Sequence, residues 1–196
     1  MAALTYFGSV MMQSESAEIA RGLSRRDPDL LSRLIEQYQH RLFRYLVHLT
    51  GNRQLAEDLF QDTWLRVLER GGSYDGRSEF APWLLRLARN LTIDHFRRHK
   101  MLSLDELTDP EREAPLQVAD RRPTPFDHLA SLQDSEKVLA CMGGLAPSFR
   151  EVLVLRFQEE MSLEEIAGVV AIPVATVKSR LYRALDMLGT RLEKHA

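Results

Sequence analysis

MSLEEIAGVVAIPVATVKSRLYRAL, residues 161–185, is the stretch that decides the fold of this 196-residue chain. Ser162-Leu163-Glu164-Glu165 is a capping box, with Ser at the cap and Glu three residues later, and it starts a short helix that ends near Val170. Ala171-Ile172-Pro173 forms a turn, and a longer helix runs from about Val174 to near Arg191. At 100° per residue, Val174, Val177, Leu181, Ala184, Leu185 and Leu188 fall on one side and pack inward. Ala175, Thr176, Ser179 and Arg183 fall opposite, with Lys178 and Arg180 on the flanks. Short helix, turn and longer helix make a helix-turn-helix. Small and hydroxyl residues let such a helix enter the major groove, while flanking cations reach phosphates. From Ala175 to Lys194 five bases (Lys178, Arg180, Arg183, Arg191, Lys194) face two acids (Asp186, Glu193), so the charge suits DNA. Asp186 also points outward, which limits the groove-facing part to the first two or so turns. The competing reading is a plain helical hairpin with a solvated charged face.

Working outward, helical pattern begins near Leu129, and Ala146-Pro147 starts a helix carrying Val152, Leu153, Leu155 and Phe157. Upstream, residues 103–127 hold seven acids, three bases and four prolines, the composition of an extended acidic linker. Before it, Asp27-Pro28 caps a helix whose apolar stripe is Leu31, Leu34, Ile35, Tyr38, Leu42, Tyr45, Leu46 and Leu49, closed by Thr50-Gly51-Asn52. A second helix spans about Gln54 to Arg70, with Leu55, Leu59, Thr63 and Val67 on one face. Residues 71–76, GGSYDG, are a loop, and a third helix runs from near Phe80 to about Lys100 with Pro82 in its first turn. There is no internal repeat and no strand of useful length. The expected architecture is all-α. An N-terminal extension (1–14) precedes one helical domain (15–100), a linker (101–128) and a second helical domain (129–196).

The third helix is the second basic element. Between Arg77 and Lys100 six bases face two acids, interleaved with Phe80, Trp83, Asn90 and Phe96. Cations and aromatic wedges beside a flexible loop are what holding unstacked single-stranded bases requires, and Asn90 can read a base edge. Trp83 and Phe96 serve equally well as core residues. His95 and His99 have i, i+4 spacing, but without a partnering carboxylate motif they predict solvated or phosphate-facing side chains, not a metal site. On the second helix Asp58, Gln61, Asp62 and Arg66, next to Phe60 and Trp64, suit a basic protein partner better than DNA, or else a solvated face.

Composition closes off other classes. A hydrophobic fraction of 44% supports real cores, and a net charge of −2 argues for no partner until its distribution is seen. The single cysteine, Cys141, reads as a small core residue in a reducing cytoplasm. Residues 1–14 lack a basic n-region and a long apolar core, so they predict no signal peptide; a frayed end, or a true start at Met11 or Met12, fits them. No stretch reaches the length of a membrane span. No clustered carboxylates, phosphate loop or nucleophile–base pair is present, so neither an enzyme nor a cofactor is expected.

Three segments carry a family resemblance. Residues 55–67, LAEDLFQDTWLRV, resemble the polymerase-binding segment of extracytoplasmic-function (ECF) sigma factors of the sigma-70 family. Residues 80–98, FAPWLLRLARNLTIDHFRR, resemble that family's minus-10 reading segment, and 161–185 its minus-35 unit, in family order. The resemblance implies that Asp58, Gln61, Asp62 and Trp64 bind the clamp helices of the largest subunit of RNA polymerase core. The second domain would meet the flap of the second-largest subunit. It implies that the loop 74–79, with Phe80, Trp83, Arg86 and Asn90, opens the minus-10 element and holds a flipped base, while Arg97 and Arg98 grip backbone. Ala175, Thr176, Lys178, Ser179, Arg180, Tyr182 and Arg183 would dock at the minus-35 element of promoter DNA. An anti-sigma factor is a further expected partner. The family often has glycine where this chain has Ala171 and Ala175. Alanine at the first resists a left-handed turn, and at the second adds a methyl that favours a nearby thymine methyl. The alternative is a stand-alone helix-turn-helix regulator, which would bind duplex DNA without polymerase.

Overall fold

The computed structural model describes residues 15–99 and 141–195, so the expectations for the N-terminal extension and the acidic linker lie outside the described residues. Among the described residues there is no strand. Contacts divide the chain into two compact units, Met1–Asp94 and His95–Ala196.

In the first unit, α1 (15–24) leads through a turn into α2 (Pro28–Thr50). The Asp27 carboxylate accepts the backbone N–H groups of Asp29 (3.0 Å) and Leu30 (3.2 Å), and Pro28 supplies a helical φ where no N–H is needed. Gly51, at φ 64°, ends α2 in the left-handed region. Asn52 then caps α3 (Arg53–Arg70) through the Leu55 N–H. Leu42 and Leu46 of α2 and Ala56 and Val67 of α3 are fully buried, so the two helices form an antiparallel pair closed by a two-residue turn. A single 3₁₀ turn, Gly71–Ser73, begins the loop before α4 (Phe80–His99), whose last five residues fall in the second unit.

α1 is an element that the sequence reading did not single out. Its apolar positions, Ile19 and Leu23 at i, i+4, are too few for a periodicity argument, yet both are buried. Gly22 and Gly71 let Leu30 and Leu23 approach closely, which seats α1 on the start of α2 and on the 3₁₀ turn.

The second unit contains α5 (Pro147–Leu153), a π-turn (Val154–Gln158), α6 (Leu163–Val170) and α7 (Val174–His195). α7 packs on α5 and α6, and Val177, Ala184, Leu185 and Leu188 of α7, Val152 of α5 and Ile166 and Val169 of α6 are all buried. Cys141 is buried. The capping box on α6 is complete: Ser162 Oγ accepts the Glu165 N–H (3.2 Å), and Glu165 Oε2 accepts from the Ser162 N–H (2.8 Å) and hydroxyl (2.7 Å).

The turn after α6 corrects an expectation. Ala171 does adopt the left-handed conformation (φ 57°, ψ 42°) despite its methyl group. Packing of α6 and α7 fixes the turn, and the alanine carries a strain of about 1–2 kcal/mol in it. The π-turn is a second difference, since the apolar run 152–155 reads as ordinary helix.

Candidate nucleic-acid interface

α7 presents most of its predicted face as expected. Ala175, Thr176 and Lys178 are exposed, Tyr182 is 39% exposed, and Ser179 and Arg183 are half-buried. The Ser179 hydroxyl donates to the Thr176 carbonyl (3.0 Å), which holds that side chain along the helix. Arg180 departs from expectation: it is only 6% exposed, set into the body of the unit instead of reaching out from a flank. Buried with it in the same unit are Glu151 and Glu159. The unit thus keeps three ionisable side chains in its interior. Burial also draws the Arg150 guanidinium below its ordinary pKa, although it still donates to the carbonyls of Gly143 (3.2 Å) and Leu145 (3.0 Å).

On α4, Trp83, Arg86, Asn90 and Arg97 share one face by helical spacing; Arg86, Asn90, Arg97 and Arg98 are exposed and Trp83 is half-buried. Phe80 is a correction, because at 2% exposure it cannot stack on a base. Its ring meets Tyr38 (5.2 Å), Tyr74 (5.5 Å) and Trp83 (5.5 Å), an aromatic cluster that sets the start of α4 and backs the Trp83 ring.

Tyr74 holds the preceding loop from beneath. Its hydroxyl donates to the Ser78 carbonyl and is hydrogen-bonded by Ser16 of α1. Burial first, and then the acids Asp75, Glu79 and Glu15, raise its pKa above the ordinary phenol value, so the donor stays protonated at neutral pH. Gly76 (φ 72°) also lies close against α1, where a Cβ would lie 2.9 Å from the Ser16 carbonyl oxygen and 3.1 Å from the Ala17 Cα. Sequence reasoning missed both contacts, and the Gly-Ser-Tyr-Asp-Gly composition that signalled a loop gave no sign of its partner.

On α3, Asp58, Gln61 and Asp62 are exposed along one stripe. Trp64 is a further correction: it is 6% exposed and lies edge-on to Phe60 (6.4 Å), packed into the helix pair. The large apolar groups on the outward stripe are instead Leu65 (57% exposed) and Leu68 (44%). An open cleft of about 400 Å³ between α2 and α3, lined by Gln39, His40, Phe43, Glu57, Phe60 and Gln61, adjoins the stripe. His95 stands edge-on to Phe96 at 6.0 Å, and the side chain of His99 lies outside those described. Among the described residues no group of three or more His, Cys, Asp or Glu is placed to hold a metal ion, and no helix is long and apolar enough to cross a membrane.

These features coincide with known families. Residues 34–101 match the model of Sigma-70 region 2, and residues 135–188 match Sigma-70, region 4. The chain is 29% identical over 189 residues to the ECF RNA polymerase sigma factor SigW of Bacillus subtilis (strain 168), covering 93% of this chain and 97% of that protein. It is 31% identical over 158 residues to SigM of the same organism, covering 81% and 92%. With BldN of Streptomyces coelicolor it shares 31% identity over 188 residues, covering 93% of this chain and 69% of that protein. Two solved structures share the fold. CnrH, in complex with the cytosolic domain of CnrY, superposes with a TM-score of 0.65 at 21% identity over 92% of this chain and 99% of that one. The sigma factor RpoE, in complex with the anti-sigma factor NepR from Bartonella quintana, gives 0.62 at 22% identity over 83% and 96%. Two sigma regions in order, on an all-α chain that aligns with such factors along most of its length, settle the family: the chain belongs to the ECF sigma factors of the sigma-70 family, regulatory subunits that direct RNA polymerase to promoters for transcription initiation.

Proposed function

We propose that this sigma factor reads the minus-35 element with the exposed face of α7 and the minus-10 element with the loop 74–79 and α4, while α3 binds polymerase core. The observation that carries the reading is the exposed set Ala175, Thr176 and Lys178, joined by Tyr182 and Arg183, at the start of a helix-turn-helix. Thr176 and Arg183 would address base edges and Lys178 a phosphate, with the Ala175 methyl against thymine. On α4, Trp83 would stack on an unpaired base, Asn90 would read its edge, and Arg86, Arg97 and Arg98 would follow the backbone.

On α3, Asp58, Gln61 and Asp62 would ring the apolar contacts of Leu65 and Leu68 against the clamp helices of the largest subunit. The C-terminal domain would meet the flap. We place the domains at 15–100 and 129–196, and the factor in the cytoplasm, without a catalytic role. RpoE and CnrH were solved in complex with NepR and with the cytosolic domain of CnrY, which supports an anti-sigma factor as a further partner here.

Run-off transcription with purified core polymerase on a promoter-fragment library tests the reading. Transcripts that start downstream of one shared pair of motifs, and only when the protein is added, are the expected result. Silence with core, together with tight binding of the protein alone to duplex DNA, would overturn it in favour of a stand-alone regulator.

A further inference from the structure

The minus-10 loop does not stand alone; α1 forms one wall of a cleft beside it. Ala20, Arg21 and Ser24 of α1, with Arg25 of the turn that follows it, face Gly72, Tyr74 and Asp75 across an open space of about 390 Å³, roomy enough for a sugar-phosphate unit. Arg21 and Arg25 are one helical turn apart and both exposed. Among the described residues neither guanidinium is held by a carboxylate. The one acid in the lining, Asp75, is itself engaged by Arg77 at 3.4 Å. Arg26, next in the chain, is exposed and holds a left-handed backbone (φ 56°), a conformation that glycine or asparagine would take more easily. Two arginines that pair with no carboxylate among the described residues, beside a loop backbone pinned at Gly76 and Tyr74, are a preformed receptor for anionic backbone.

We infer that α1 is part of the promoter-melting machinery, with Arg21 and Arg25 gripping the phosphates of single-stranded DNA next to the base held by the loop. This rests on the proposed minus-10 role of the loop and α4. Arginine suits the task because its planar fork binds two phosphate oxygens at once, and because it stays charged at every physiological pH. Asp75 at the cleft edge would repel a phosphate placed too close to it, which keeps the strand on the α1 side. Ser16 and Gly76 act here as positioning residues: they fix the distance between the arginine pair and the loop without touching DNA.

The test uses the full chain with core polymerase on a pre-melted promoter bubble. Expected for the Arg21→Ala/Arg25→Ala double variant is an affinity loss of about tenfold near physiological salt, and a log–log salt slope shallower by about 1.4, the single-strand value for two phosphates. Neutral methylphosphonate links placed one at a time along the minus-10 strand should weaken the wild type at one or two positions and leave the double variant indifferent there. Unchanged affinity and slope would overturn the inference, as would an equal loss with Arg33→Ala, an exposed arginine of α2 outside the cleft. A matching loss of core affinity without DNA would also overturn it, by making the pair a polymerase contact. Trp83→Ala and Asn90→Ala in the same assay separate the two failures. If they weaken bubble binding and the arginine pair does not, the minus-10 reading stands without α1; if none of them does, that reading fails as well.

Discussion

Ala171 shows how a single residue can be held against its own preference. Its left-handed backbone places the methyl against the following carbonyl, a strain that glycine escapes at the cost of a more flexible unfolded chain. The first effect is the larger, so Ala171→Gly should stabilise the C-terminal unit by about 1 kcal/mol, read as a higher urea midpoint with an unchanged slope. A lower midpoint would mean that the turn is not strained. Single residues also mark where facing fails as a guide. On α7, Lys178 and Arg180 lie at similar angles, about 70° and 90°, from the middle of the apolar face, yet Lys178 is exposed and Arg180 is buried. The wheel has no term for which side α5 and α6 occupy. Trp64 lies about 100° from the middle of the buried face of α3, and its large ring folds back into the helix pair. Phe80 is hidden by Tyr38, which is 42 positions earlier in the chain.

At the scale of elements the sequence was more legible, because caps and periodicity are local. Asp27, Gly51, Asn52, Ser162 and Pro173 each stand at a helix end, and the helices begin and stop where these residues place them. The capping box is the clearest case. It satisfies backbone donors at the start of α6, the helix on which α7 rests, so Ser162→Ala should cost about 1 kcal/mol. That change is measurable by denaturant unfolding, and an unaltered midpoint would show that tertiary packing alone holds the end of α6. What local reading could not supply was α1, whose burial depends on surfaces contributed by α2 and the 3₁₀ turn, and the π-turn. A π-turn widens one coil by a residue while leaving composition unchanged, so no propensity scale registers it.

Across the whole molecule, charge is arranged rather than abundant. A net −2 conceals basic segments at 77–100 and 175–194 and acidic ones elsewhere, so different partners can address different parts of one chain. Asp62 and Arg183 belong to different units and are proposed to serve different partners. Asp62→Arg should weaken core binding and leave promoter selectivity intact, whereas Arg183→Ala should do the reverse. In transcription their combined effect should equal the product of the single effects within a factor of about two, as expected for independent sites. A marked departure from that product would mean that the two residues serve a common step.

The contact between α1 and the loop also bears on how the chain is made. Ser16 and Gly76 are about 60 residues apart in sequence, and at ~5–20 residues per second the ribosome takes ~3–12 s to deliver the second after the first. Among the described helices α1 therefore emerges first, but it is locked only once residue 76 has followed it. For most of that interval Ile19 and Leu23 wait with the 3₁₀ turn that covers Leu23 still unmade, so α1 is, among the described helices, the one most in need of protection from association with its neighbours.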